Sequence, residues 1–209
     1  MCRVVVTGMG VISPVGNTID DFWSSISSGV CGVDRIRRFD ASRLAVSLDA
    51  EVKSFEPKEY YATMQEIRKS DLYMQYAMGA AKQAVEQSGI LTNSLNRERF
   101  GVYVGSGIGG INTTLREAAK LTEKGPEMIS PFFVPMMISN MAAGAISIRF
   151  GAKGPTLPVV TACATSTHTI GEAYRAIKHG YADAIIAGGS EASINELAMA
   201  GFINCQALN

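Results

Sequence analysis

The sequence predicts an α/β fold built on a mainly parallel sheet covered on both faces. Three observations carry that prediction. Short apolar runs alternate with helical stretches of crossover length, the order expected of strand–helix–strand units. The runs are nearly continuous in apolar residues rather than alternating, as in strands buried on both sides. Finally, a 209-residue chain that is 47% hydrophobic and 18% charged has enough apolar residues for a core and does not have a disordered composition.

The elements follow in order. Residues 3–13, RVVVTGMGVIS, read as a buried strand running into glycine turns. Residues 18–29 form a short helix, with Thr18 as N-cap, acids in the first turn and Gly29 past the end. Residues 70–89 are the clearest helix: Leu72, Tyr76, Ala77, Ala80, Ala81, Ala84 and Val85 make one apolar stripe, with Ser70 or Asp71 as cap and Gly89 as stop. A strand over 100–107 and a helix over 111–125 come next. Residues 130–151 carry prolines and turn helical after Pro135. A strand over 155–162 leads into a helix over 165–180, and a strand over 183–192 precedes a final helical or loop piece.

Charge is placed unevenly. Sixteen of the 38 charged residues fall between Asp34 and Asp71, and only eight lie from Ser139 onward. Residues 34–71 are therefore expected to be a solvated excursion and the last seventy residues mostly core. Acidic and basic residues balance at 19 each, so no global field draws the chain to nucleic acid or an anionic membrane. The N-terminus lacks the apolar h-region of a signal peptide, and residues 134–148 are too short and too polar to span a bilayer. The four cysteines show no metal-ligand spacing and no secreted disulfide framework, which places the chain in the cytoplasm with free thiols.

Two motifs carry chemistry. GSGIGG (105–110) matches the dinucleotide pattern G-x-G-x-x-G, but no second strand ending in an acid follows. The favoured reading is a backbone crowded against another element. Cys163, in VVTACATSTH, stands where a strand ends and a helix begins. Helix amides and the macrodipole there stabilise thiolate over thiol and could donate to an oxyanion, while the small residues 164–167 leave room for a substrate. Free cysteine is also among the most buried residue types, so local physics leaves spacer and nucleophile both open. Cys2, Cys31 and Cys205 have no such setting and read as structural. A cysteine nucleophile needs an acid–base partner. His179 lies where it would cap a helix C-terminus, and His168, five residues beyond Cys163, points largely away from the thiol. The sequence thus offers a candidate nucleophile without its proton-handling machinery.

The blocks RVVVTGMGVISPVGN, SPFFVPMMISNMAAGAISIRFGAKGP, VVTACATSTHTIGEAYRAIKHGYADAIIAGG and AMAGFINCQAL resemble the elongating β-ketoacyl-acyl-carrier-protein synthases of dissociated fatty-acid synthesis, the synthase II type being nearest in pattern. The resemblance implies a thiolase-like layered α/β/α/β/α fold of two similar halves, with residues 1–209 as the first half and the second half absent. It implies that Cys163 takes an acyl group from an acyl-carrier-protein thioester and that decarboxylated malonyl-carrier protein then attacks the acyl-enzyme, without a cofactor or metal. Two histidines and a lysine that serve decarboxylation belong to the family's second half, as does the partner of the Cys163 oxyanion amide. The resemblance further implies that Ile108 and Phe202 line the acyl pocket and that Phe133 reaches the partner subunit's pocket in a homodimer. Arg68 and Lys69 would meet the acidic carrier protein, the alternative being a solvated pair; Gln206 stands where the family often has a base. The competing readings are a truncated or chain-length-setting subunit without catalysis, a polyketide ketosynthase and a biosynthetic thiolase. A half fold of this kind is expected to dissolve poorly by itself.

Overall fold

The computed structural model of the chain describes residues 3–92 and 94–208; the reading of Cys2 falls outside the described residues. In chain order the regular elements are α1 (Ile19–Ser27), β1 (Asp34–Arg35), β2 (Leu48–Asp49), α2 (Met64–Arg68), α3 (Leu72–Ser88), β3 (Phe100–Gly105), α4 (Ile111–Lys124), α5 (Phe133–Met137), α6 (Met141–Phe150), α7 (Thr165–Lys178), β4 (Ala184–Gly189) and α8 (Glu196–Asn204). They divide between two compact units, residues 1–10 with 56–192 and residues 11–55 with 193–209.

The larger unit is built on the parallel pair β3–β4, in register from Phe100 opposite Ala184 to Gly105 opposite Gly189. Every residue of β3 is buried, as its unbroken apolar run requires. α7 covers the face that presents Tyr103, Ile185 and Ala187, burying Ala173 and Ala176 there. α3 and α6 pack together against the sheet's other side. The expected strand over 155–162 shrinks to one parallel bridge, Thr156 beside Val102, with Val102 donating to Pro155 O at 3.0 Å and Leu157 donating to Val102 O at 3.1 Å. Pro155 has no N–H to give to Phe100 O, so the ladder is interrupted on that side of the bridge.

Three other expectations need correction in this unit. Residues 3–10 form no strand, and Val5 and Val6 are 57% and 79% exposed. Their backbone turns to α3 instead: Met9 N–H donates to Gln87 Oε1 at 2.7 Å, and a Cβ on Gly8 would stand 2.1 Å from Ala84 O. α3 is buried on more than one stripe, because Tyr73, Met74 and Met78 join Tyr76, Ala77, Ala81 and Val85 in the core. It packs against both α6 and β4 rather than lying on a surface. α5 begins at Phe133, before Pro135; a proline in a first turn sacrifices no hydrogen bond, since the N–H there has no partner inside the helix.

The last seventy residues are not mostly core. Much of 157–181, including Leu157, Val160, Ile170, Tyr174 and Tyr181, is exposed. The helix limits are set locally, as the sequence led one to expect. Asp71 caps α3, and Gly89 ends it in the left-handed region at φ 59°.

α4 is capped from outside its own sequence. Its N-cap, Gly110, has no side chain, and the buried Asp71 carboxylate instead accepts from Thr113 N–H at 2.8 Å and Thr113 Oγ1 at 2.7 Å. Further along α4 the buried Glu117 accepts from Lys120 Nζ at 2.7 Å, from the Ser130 amide at 2.9 Å and from Arg116 Nε at 3.3 Å. The Lys120 ammonium, then the Ser130 amide and the Arg116 guanidinium, hold its carboxyl down to about 2 against the opposing effect of burial.

The smaller unit contains α1, the antiparallel ribbon β1–β2 and α8. Thr18 caps α1 by accepting from Asp21 N–H at 3.1 Å, and Asn195 caps α8 by accepting from Ala198 N–H at 2.9 Å. Between Asp34 and Asp71 only Ala41, Ser70 and Asp71 are buried. Ion pairs such as Arg37–Asp34 at 3.0 Å lie on its solvated surface.

Candidate active site

β3, β4 and the bridge at Thr156 all run in one direction, so the residues that follow them emerge at the same end of the sheet. Three loops gather there: 106–110, 158–164 and 190–192. The carboxyl ends of parallel strands are where open α/β sheets place their ligands.

Cys163 occupies a 3₁₀ turn, Ala162–Ala164, directly ahead of α7, and is exposed. Ala162 has φ 51°, a left-handed conformation that costs a non-glycine residue about 1–2 kcal/mol. The turn is over-determined by hydrogen bonds. Ala164 N–H donates to Thr161 O at 3.1 Å, Thr161 N–H donates to Thr165 Oγ1 at 2.8 Å, and His168 Nδ1 lies 2.8 Å from Thr161 Oγ1. No side chain caps α7, so its positive end is left facing the turn. His168 is thus tied to the backbone-shaping residue of the turn, and among the described residues Cys163 Sγ has no hydrogen-bond partner. His179 is the C-cap residue of α7. Cys31 and Cys205 are exposed thiols as well, so neither is a core spacer.

The glycine loop is pressed against this turn. A Cβ on Gly105 would lie 2.1 Å from Val159 O and 2.6 Å from Thr165 Cγ2, and one on Gly107 would lie 3.5 Å from Ala162 Cα. The glycines of GSGIGG therefore serve close approach of two backbones. Ile108, 47% exposed, rides on this loop one residue beyond the contact with Ala162. Phe133 is half-buried at the start of α5, whose Met137 carbonyl accepts from the Gly110 amide at 2.9 Å. The larger unit thus brings the Cys163 turn, Ile108 and the Phe133 helix to one neighbourhood. Phe202 belongs to the smaller unit, on α8, and is 45% exposed.

Arg68 is exposed at the end of α2 and has no ion-pair partner among the described residues. Lys69 differs from it: its ammonium lies 4.3 Å from the centroid of the Phe132 ring, a cation–π contact that engages the charge locally. The sequence reading missed two residues. Glu191 reaches back to the glycine loop, accepting from Ser106 Oγ at 3.1 Å and from Ile108 N–H at 3.0 Å. The available signal was positional: an acid two residues after the end of one parallel strand, like the serine directly after the other. Among the described residues no group of three or more His, Cys, Asp or Glu is placed to hold a metal ion. No helix among them is long and apolar enough to cross a membrane.

Comparison with known proteins agrees with this geometry. Residues 1–209 match the family described as "Beta-ketoacyl synthase, N-terminal domain". A 3-oxoacyl-[acyl-carrier-protein] synthase 2 of Coxiella burnetii is 46% identical over 207 residues, which is 99% of this chain and 50% of that protein. Among solved structures, a β-ketoacyl synthase from Burkholderia phymatum superimposes with a TM-score of 0.84 at 26% identity, covering 100% of this chain and 51% of the other. A complex of a type II polyketide acyl-carrier protein with its ketosynthase bound to the hexaketide gives 0.82 at 26% identity, over 96% and 54%. The chain spans about half the length of the curated relatives it matches. With its parallel α/β core, its cysteine turn at the strand ends and a family match along its whole length, the chain belongs to the β-ketoacyl synthases, as their N-terminal domain.

Proposed function

We propose that the protein is a condensing acyltransferase of fatty-acid elongation, a β-ketoacyl-acyl-carrier-protein synthase with Cys163 as nucleophile. One observation carries the reading: an exposed thiol on a strained turn, at the uncapped head of a helix and at the carboxyl ends of parallel strands. Cys163 Sγ attacks the carbonyl carbon of an acyl thioester. The oxyanion that forms accepts from the Cys163 backbone N–H, and the carrier's thiol leaves with a proton. A malonyl thioester then loses carbon dioxide, its carbanion attacks the Cys163-bound carbonyl, and the cysteine thiolate departs from a β-ketoacyl product two carbons longer. The histidines and lysine for decarboxylation come from the family's second half.

The acyl-carrier protein is the partner in this reading. A structural neighbour is a ketosynthase held in complex with its carrier protein, and the exposed Arg68 offers an uncommitted cation to an acidic partner. Lys69, engaged with Phe132, is the weaker of the two contacts. On the larger unit Ile108 contacts the acyl chain, Phe133 completes the pocket of a second subunit in a cytoplasmic homodimer, and no cofactor takes part. Fatty-acid elongation is favoured over polyketide assembly by identity, 46% to a 3-oxoacyl synthase against 26% to a polyketide ketosynthase complex. The test is condensation by the full-length protein, followed as carbon dioxide release and β-ketoacyl product from acyl- and malonyl-carrier protein. Cys163→Ala is expected to lower product formation by roughly 10³-fold or more; a variant that still condenses at the wild-type rate contradicts the assignment.

A further inference from the structure

We propose that Glu191, acting with Ser106, is a positioning residue for acyl selection, holding the 106–110 loop so that Ile108 sets which acyl chain reaches Cys163. The inference rests on the functional reading above and adds residues that the reading does not use. One carboxylate and one hydroxyl satisfy two backbone donors of the loop. Glu191 Oε2 accepts from Ile108 N–H at 3.0 Å, and Ser106 Oγ accepts from Gly109 N–H at 3.0 Å while donating to Glu191 Oε1 at 3.1 Å. Ser106 is 1% exposed, so its hydroxyl relay is shielded from water.

Elsewhere the loop is held by close backbone packing and, at its far end, by Gly110 N–H donating to Met137 O at 2.9 Å. Three of its five residues are glycines, Gly109 has φ 79°, and the Ile108 side chain is 47% exposed. A glycine-rich segment loses much conformational freedom on ordering, so the bonds that order it decide where its one large side chain stands. The carboxylate itself projects from a fixed platform. Ser190 N–H donates to Gly105 O at 3.0 Å, Ser190 Oγ donates to Tyr73 O at 2.8 Å, and Asn112 Nδ2 donates to Ala192 O at 2.7 Å. Residues 190–192 are thus clamped to β3, α3 and α4, and Glu191 transmits that rigidity to Ile108. It acts through the loop and not on the reacting carbonyl.

The test uses full-length protein carrying Glu191→Gln or Ser106→Ala, and measures acylation of Cys163 by mass spectrometry with short, medium and long acyl-carrier proteins. Circular dichroism and thermal melting are recorded on the same samples. Glutamine keeps the volume but has only one acceptor oxygen, and alanine removes the relay without adding bulk. Both variants are expected to melt cooperatively, to acylate with the short chain within about twofold of wild type, and to change the long-to-short ratio by about tenfold, the loss of one charge-assisted hydrogen bond. An unchanged ratio in both folded variants overturns the inference and leaves the functional reading intact. A loss that is equal at every chain length, or that follows loss of the fold, assigns the pair a structural role and also overturns it. Absence of any Cys163 adduct in wild-type protein overturns the functional reading, and this inference with it.

Discussion

At the scale of single residues, the site depends on backbone conformation as much as on the thiol. Ala162 holds φ 51° immediately before Cys163, where a β-branched side chain would clash with its own backbone. Ala162→Val is therefore expected to destabilise the protein by about 1–3 kcal/mol and to slow Cys163 acylation. A chemical-denaturation curve and a burst-phase acylation assay on the same variant would measure both. Wild-type stability together with wild-type acylation would mean that the strained turn is dispensable. The proposed nucleophile, Cys163, was visible in the sequence as a thiol between a strand and a helix. Glu191 and the φ of Ala162 were not, because both depend on which loops meet at the end of the sheet. His168 illustrates the same point in reverse. It stands near Cys163 in sequence, yet its ring bonds Thr161 and shapes the turn.

At the scale of elements, local signals read well and partnership signals did not. Thr18, Asp71, Gly89 and the periodicity of α3 set helix limits from within a few residues, so they are legible in sequence. Strand formation needs a neighbour, and the apolar runs at 3–10 and 155–162 lack one along most of their length. Nothing local shows that Asp71 caps α4 across 42 positions, or that Glu117 collects Lys120, Arg116 and the Ser130 amide. Glu117 makes this buried network pH-dependent. Its folded pKa, about 2, lies below the ordinary 4.5, so its stabilisation is complete above about pH 4.5 and is lost as pH falls toward 2. Because Lys120 and Arg116 are partly exposed and screened, the loss across that window is expected to be on the order of 1 kcal/mol. Melting temperature against pH, for wild type and Glu117→Gln, should show a fall below pH 4.5 in the first that is flattened in the second. Parallel curves would contradict the assignment.

At the scale of the molecule, the chain matches its family end to end but covers about half of its curated relatives. The larger unit leaves Val5, Val6, Ile148, Ile170, Tyr174 and Tyr181 exposed. Residues 1–209 produced by themselves are expected to bind an apolar fluorescent dye strongly and to self-associate in size-exclusion chromatography. A stable, dye-silent monomer with full condensing activity would contradict the half-fold reading. Among the described residues the larger unit carries the Cys163 thiol, its turn and the loop that bears Ile108. The most direct test of the central claim is mass spectrometry of the full-length protein after incubation with acyl-carrier protein. A mass increase equal to the acyl group on the peptide containing Cys163, absent from Cys163→Ala, is the predicted result; an unmodified Cys163 peptide in catalytically turning-over enzyme would contradict it.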